Sequence, residues 1–217
     1  MPGTVLDDLE IIDGGRGGDI GTPAGGDDGG SSGGRRRPVP RRAYFTALQL
    51  GFAAILMFFM ALASSYIVRK GLGTDWQSTP MPMVVWWNTA VLLASSVTAI
   101  VARKKLSQGA QEAFQTWWIV TTGLGLLFLA GQIVAWRQLA AAGLMLATNP
   151  SSSFFYLLTA AHGAHLAGGV IALLYVLFRP WKRSRISQST AAELAAIYWH
   201  FMDGLWIFLL VLLTLGR

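Results

Sequence analysis

Apolar positions in this chain gather into five long runs separated by short polar or proline-bearing connections. The runs cover about 43–68, 83–102, 114–136, 154–178 and 191–215. Each reaches the ~20 residues that a helix needs to cross the hydrocarbon of a bilayer. They carry too few charges for helices inside a water-soluble domain, and they lack the period-two alternation of barrel strands. The pattern therefore predicts an all-α integral membrane protein, a bundle of five transmembrane helices. Punctuation agrees with the count: Pro80 and Pro82 precede the second run, Asn149-Pro150 precedes the fourth, and Arg179-Pro180 closes it. Trp86, Trp87, Trp117, Trp118, Trp136 and Trp181 fall near run ends, where an indole sits at headgroup level.

Composition splits the chain in two. Residues 1–42 hold twelve of the 25 glycines and seven of the eleven acidic residues, and they end in an arginine cluster. Such a segment buries too little apolar area to offset the entropy of ordering it, so 1–34 is expected to be disordered and to act as a tether. Residues 43–217 form the membrane domain. The absence of cysteine excludes disulfides and thiolate metal sites.

The net charge of +6 points to a membrane surface and not to nucleic acid, because the cations flank the apolar runs. Arg16, Arg35, Arg36, Arg37, Arg41, Arg42, Arg103, Lys104, Lys105, Arg179, Lys182, Arg183 and Arg185 lie on one side of a five-span chain. Only Arg69, Lys70, Arg137 and Arg217 lie on the other. Positive-inside logic then puts the N-terminus in the cytoplasm and the C-terminus on the periplasmic or extracellular side. Arg41-Arg42 before an apolar run and Ala61-Leu62-Ala63 superficially resembles a secretory signal. The run is too long for one, and four more follow.

Ionisable groups at membrane depth are costly and point to a functional or interior contact. Those in the runs are His162 and His165 in the fourth, and Glu193, His200 and Asp203 in the fifth. His162 and His165, three apart, share a helix face. Neighbours on one helix cannot hold an iron from opposite sides, and three histidines in all are too few for a diheme bundle. A metal would also call for adjacent carboxylates, for which Asp203 is the nearest candidate. Helix-to-helix hydrogen bonding is the expected role of the pair, with Gly163, Gly168 and Gly169 allowing close packing. Thr190-Ala191-Ala192-Glu193 reads as a capping box opening the fifth helix. Glu193, His200 and Asp203 are expected to form a polar stripe, either a proton path or a contact to a partner. No phosphate loop, nucleophile–base pair or dinucleotide fingerprint occurs, and Gly123-Leu124-Gly125 reads as helix packing. Neither catalytic, metal nor haem-ligating residues are expected.

The last two runs resemble subunit III of the haem–copper respiratory oxidases. The residues concerned are Phe154-Phe155-Tyr156-Leu157-Leu158-Thr159-Ala160-Ala161-His162-Gly163-Ala164-His165 and Tyr198-Trp199-His200-Phe201-Met202-Asp203-Gly204-Leu205-Trp206-Ile207-Phe208. They are similar to the family's FF-x-x-TG-x-HG-x-H and YWHF-x-D-x-x-W-x-F signatures, and Glu193 precedes the tyrosine by the family's interval. Tyr66 to Arg69, Trp76, Trp87-Asn88-Thr89 through Ser95-Ser96, and Gly131-Gln132 through Trp136 resemble further segments, so the likeness covers nearly everything from residue 43 onward. Two departures stand out. The membrane-embedded glutamate usual in the first of these spans is replaced at Ile55. Five spans stand where longer members have seven, so the lipid-filled cleft of those members must here be completed by another subunit.

The resemblance implies a subunit without haem or copper of its own, those groups residing in the catalytic subunit I beside which it packs with other oxidase subunits. It implies phospholipid binding and support of proton uptake during oxygen reduction, in a bacterial inner membrane. His162, His165, Glu193, Tyr198, Trp199, His200 and Asp203 are the motif residues expected to serve packing, lipid or proton uptake. Alternatives within the scaffold are a quinol-oxidase subunit III or an accessory protein of nitric oxide reduction. A small transporter is disfavoured because five spans cannot form two equal repeats and no span has an interior proline. A haem anchor is disfavoured by the histidine count.

Overall fold

The computed structural model describes residues 40–72, 76, 81–144, 149–179 and 187–215. The expectations for the tail at 1–34 and for Trp181 lie outside them. Five helices are present: α1 (Arg41–Leu72), α2 (Met83–Ser107), α3 (Gln111–Ala141), α4 (Pro150–Phe178) and α5 (Gln188–Leu215). All five are long and apolar enough to cross a membrane. Each outruns its expected apolar stretch, because a helix continues past the hydrocarbon edge into polar or charged turns. Arg69 and Lys70 end α1, Lys104 and Lys105 lie in the last turn of α2, and Glu112 lies in the first turn of α3. These signs suit the helix dipole.

The connections follow local chemistry. Gly109, with φ +76°, makes the tight turn between α2 and α3, a conformation that side chains of L-residues resist. Asn149 caps α4: its side chain accepts from the Ser152 amide at 2.8 Å, with Pro150 at the first helical position. At the far end Arg179 is extended (ψ 135°), as the following proline requires.

The capping box expected at α5 is not formed. The helix begins at Gln188, and the Ser187 hydroxyl accepts from the Thr190 amide at 3.2 Å. That amide is therefore unavailable to Glu193, which lies a turn too deep in the helix and pairs elsewhere.

The helices enclose one core. α2 and α3 form the most extensively packed pair, α4 lies against α3 and α5, and α5 also meets α2 and α1. Half of the most apolar window of α5 is buried, against 6% of that of α1. Thus α5 is the central helix and α1 a peripheral one, held by Phe59, Ala63 and Tyr66.

Three tryptophans, Trp118, Trp199 and Trp206, are fully buried. Trp199 occupies a notch made by two glycines. A Cβ on Gly125 of α3 would stand 2.5 Å from its ring, and one on Gly169 of α4 would stand 3.2 Å from it. Small residues thus admit a large one, and α3, α4 and α5 close around a single indole. Gly123 and Gly163 make no such approach, so the glycine expectation holds at Gly125 and Gly169 only. Trp118 is no headgroup anchor either. Its Nε1–H donates to the Leu173 carbonyl at 2.9 Å inside the bundle, whereas Trp86 and Trp87 are exposed.

Candidate functional site

The ionisable residues of α4 and α5 lie along the seam where α5 meets α2, α4 and α1. At the basic end of the bundle, Glu193 is held between two helices. It pairs with Arg41 of α1, and Arg103 of α2 stands 3.7 Å away. Two helical turns further in, His200 Nδ1 shares a hydrogen bond with the Ser96 hydroxyl of α2 at 2.5 Å. Asp203 lies 3.9 Å from the same nitrogen, too far for a hydrogen bond.

The three do not form one stripe. Glu193 and His200 share an outward face with side chains 26% and 32% exposed, whereas Asp203 is turned into the core at 5%. A three-residue step rotates a side chain by a sixth of a turn, enough here to carry it across the seam between α5 and α2.

Three indoles are satisfied in the same way. Trp199 donates to Ser95 at 2.9 Å, Trp206 to Thr89 at 3.0 Å, and Trp136 to Thr159 at 3.0 Å. Each hydroxyl meanwhile donates to a carbonyl of its own helix: Ser95 to Leu92, Thr89 to Val85 and Thr159 to Phe155. One hydroxyl therefore receives the partner's N–H and places its own proton, leaving nothing unpaired in hydrocarbon. The numbering of these contacts rises along α2 as it falls along α5, from Thr89–Trp206 through Ser95–Trp199 to Arg103–Glu193, which fixes an antiparallel register.

His162 and His165 separate. His165 Nδ1 donates to Ala161 of its own helix at 2.8 Å, and its carbonyl accepts from the Tyr198 hydroxyl of α5 at 2.9 Å. His162 is fully buried among the rings of Phe59, Phe128 and Trp206, which come from α1, α3 and α5, and neither ring nitrogen has a hydrogen bond. The interhelical hydrogen bond expected of the pair is thus a backbone contact for His165, while His162 engages its neighbours through ring faces and edges. The Asp203 oxygens and the Gln132 amide are likewise buried without a hydrogen bond.

Ile55 is half-buried against the core of the bundle. Among the described residues no three His, Asp or Glu side chains converge as a metal site.

Several participants lie in segments that carry the family resemblance but were given no role in advance: Thr89, Ser95, Ser96, Thr159, Gln132 and the indole of Trp206. A periodic signal existed for three of them, Thr89, Ser96 and Trp206. Thr89 and Ser96 are seven apart, as are Trp199 and Trp206, so hydroxyls and indoles recur on one face of each helix. Gln132 carries no such signal.

The bundle and its seam define a class first: a multi-pass membrane protein in which several buried polar side chains, Asn88, Ser95, Thr121 and Thr159 among them, join helix to helix. The family model for cytochrome c oxidase subunit III matches residues 44–215. A probable cytochrome c oxidase subunit 3 of Mycobacterium tuberculosis is 32% identical over 167 residues, covering 75% of this chain and 82% of that protein. One of Nocardia farcinica is 34% identical over 158 residues, covering 70% and 77%. A cytochrome c oxidase subunit 3 of Synechocystis is 29% identical over 163 residues, covering 72% and 69%. The chain belongs to the cytochrome c oxidase subunit III family.

Proposed function

We propose that this chain is the non-catalytic third subunit of a haem–copper terminal oxidase in a bacterial inner membrane, with its N-terminus in the cytoplasm. It packs beside the catalytic subunit, which carries the haem and copper, and it supports assembly, phospholipid binding and proton uptake for oxygen reduction. The observation that carries this reading, beside family membership, is the use made of the polar residues. Thr89, Ser95 and Ser96 of α2 are joined to Trp206, Trp199 and His200 of α5 respectively, which is a scaffold's way of using polarity in hydrocarbon.

Phospholipid has a suitable place. A slot of about 250 Å3 between α1, α4 and α5 is lined by Leu48, Ala172, Val176, Leu194, Ala195 and Tyr198, nearly all apolar. Tyr175 also borders it, with the Arg179 guanidinium 4.8 Å from its ring centroid. An acyl chain fits such a slot, and a cation at its mouth suits a phosphate.

The test is purification in mild detergent from the native membrane, with a haem spectrum of whatever co-elutes. Association with a haem–copper absorbance is expected. A stable, colourless protein eluting alone overturns the reading, and haem that stays with the isolated chain supports a haem anchor in its place.

A further inference from the structure

One face of α5 remains uncovered by the bundle. Glu193, Ile197, His200, Gly204, Ile207 and Val211 recur at alternating intervals of four and three along it, all exposed or half-buried. α1 flanks this face on one side, where Phe52 stacks on Phe201 at 4.2 Å, and α2 flanks it on the other through Ser96. The result is a groove with α5 as its floor.

Exposed apolar side chains elsewhere on the bundle need only lipid to cover them. This groove differs in three respects. The His200 ring is 32% exposed at mid-depth, and no described group hydrogen-bonds its Nε2. An alkyl chain offers that nitrogen nothing, and an unpaired polar atom in hydrocarbon is costly. Gly204, next along the face, has nothing within 4 Å of where a Cβ would stand, so a neighbouring backbone can approach closely there. At the basic end, Arg41, Arg103 and Lys104 surround the single acid Glu193, leaving an excess of positive charge at the groove's mouth.

We propose that this groove receives a transmembrane helix of the oxidase's catalytic subunit, with its acidic end against Arg103 and Lys104 and a hydroxyl or carboxamide side chain at His200. A group that both donates and accepts serves either tautomer of the ring. From Glu193 to Val211 the face extends about 27 Å at 1.5 Å per residue, close to the ~30 Å of a bilayer's hydrocarbon, so its length suits one complete crossing. The alternation of four and three is the seam of helix-on-helix packing. The proposal rests on the functional reading above and adds the surface and the chemistry of its partner.

The test uses the intact complex purified from its native membrane, with a photoreactive benzophenone amino acid at Ile207 in the groove or at Ile133 on the outer face of α3. Illumination at Ile207 is expected to join the chain to a membrane-spanning peptide of the catalytic subunit, and at Ile133 to label lipid. Adducts at Ile207 with lipid only, or with a second copy of this chain, overturn the groove while leaving subunit membership intact. A starting preparation with no haem-bearing partner overturns the functional reading, and the named partner with it. Gly204→Trp supplies an independent measurement. The bundle leaves room for it, so helix content should hold, while the fraction of complex retaining the subunit falls about tenfold, as for a central interface residue. Full retention of the Gly204→Trp subunit contradicts the proposal.

Discussion

α5 and α1 are similar in length and apolarity but are held in different ways. α5 has neighbours on several sides, its Trp199 indole enters a notch made by two glycines, and the N–H groups of Trp199 and Trp206 meet hydroxyls on α2. α1 has three buried residues, a few ring contacts to α4 and α5, and an ion pair at its exposed end. Hydropathy thus places a helix in the membrane without saying how firmly the bundle holds it. Lipid solvates both helices equally well, so shape fit and polar pairing decide.

The largest effect is expected from Trp199→Ala, which empties the notch between Gly125 and Gly169 and removes the bond to Ser95. A loss of about 3–5 kcal/mol is anticipated, read as reduced thermal stability of the whole bundle in detergent. Should only one helix loosen, α5 is not central.

Phe59→Ala on α1 is expected to fall at the lower end of the same range, about 3 kcal/mol, and to act locally. Hydrogen exchange should quicken in α1 while α2, α3 and α5 keep their protection. Uniform quickening would erase the distinction between the two helices.

Ser95→Ala leaves the Trp199 N–H buried without an acceptor, at a cost of about 1 kcal/mol. Thermal stability should drop measurably, and Ser95→Thr, which keeps the hydroxyl, should recover most of it. The smallest effect belongs to Glu193→Gln. The Arg41 side chain is 62% exposed, so solvent screening leaves a few tenths of a kcal/mol, which added salt should abolish. A loss as large as that of Trp199→Ala would mean that the ion pair, and not the rings, fastens α1.

Much of this was legible in the chain. The five helices follow from run length and punctuation, and the motif residues of α4 and α5 lie where a packed seam requires them. What stayed hidden depends on geometry across helices. Whether Trp118 faces headgroups or Leu173 is decided by rotation of α3 about its axis, which hydropathy does not record. Asp203 left the stripe for a similar reason, since a sixth of a turn separates an outward position from an inward one. At α5 the capping signal lay three residues too late, because Ser187-Gln188-Ser189-Thr190 offers an earlier cap of the same chemistry. Ile55, in contrast, was read on a resemblance that implies an acid at this position in most of the family, and its half-buried place on α1 adds an apolar contact there.

A polar seam that only holds helices together leaves oxygen reduction intact when its polar side chains are removed. The most direct measurement is the initial oxygen-consumption rate per haem in complexes carrying His200→Ala or Asp203→Ala, alongside the quantity of this subunit retained. Initial turnover should stay close to that of the unaltered complex, with weaker retention of the subunit or faster decline during sustained turnover. Immediate and complete loss of oxygen reduction, in a complex that keeps its full complement of subunit and haem, would contradict it.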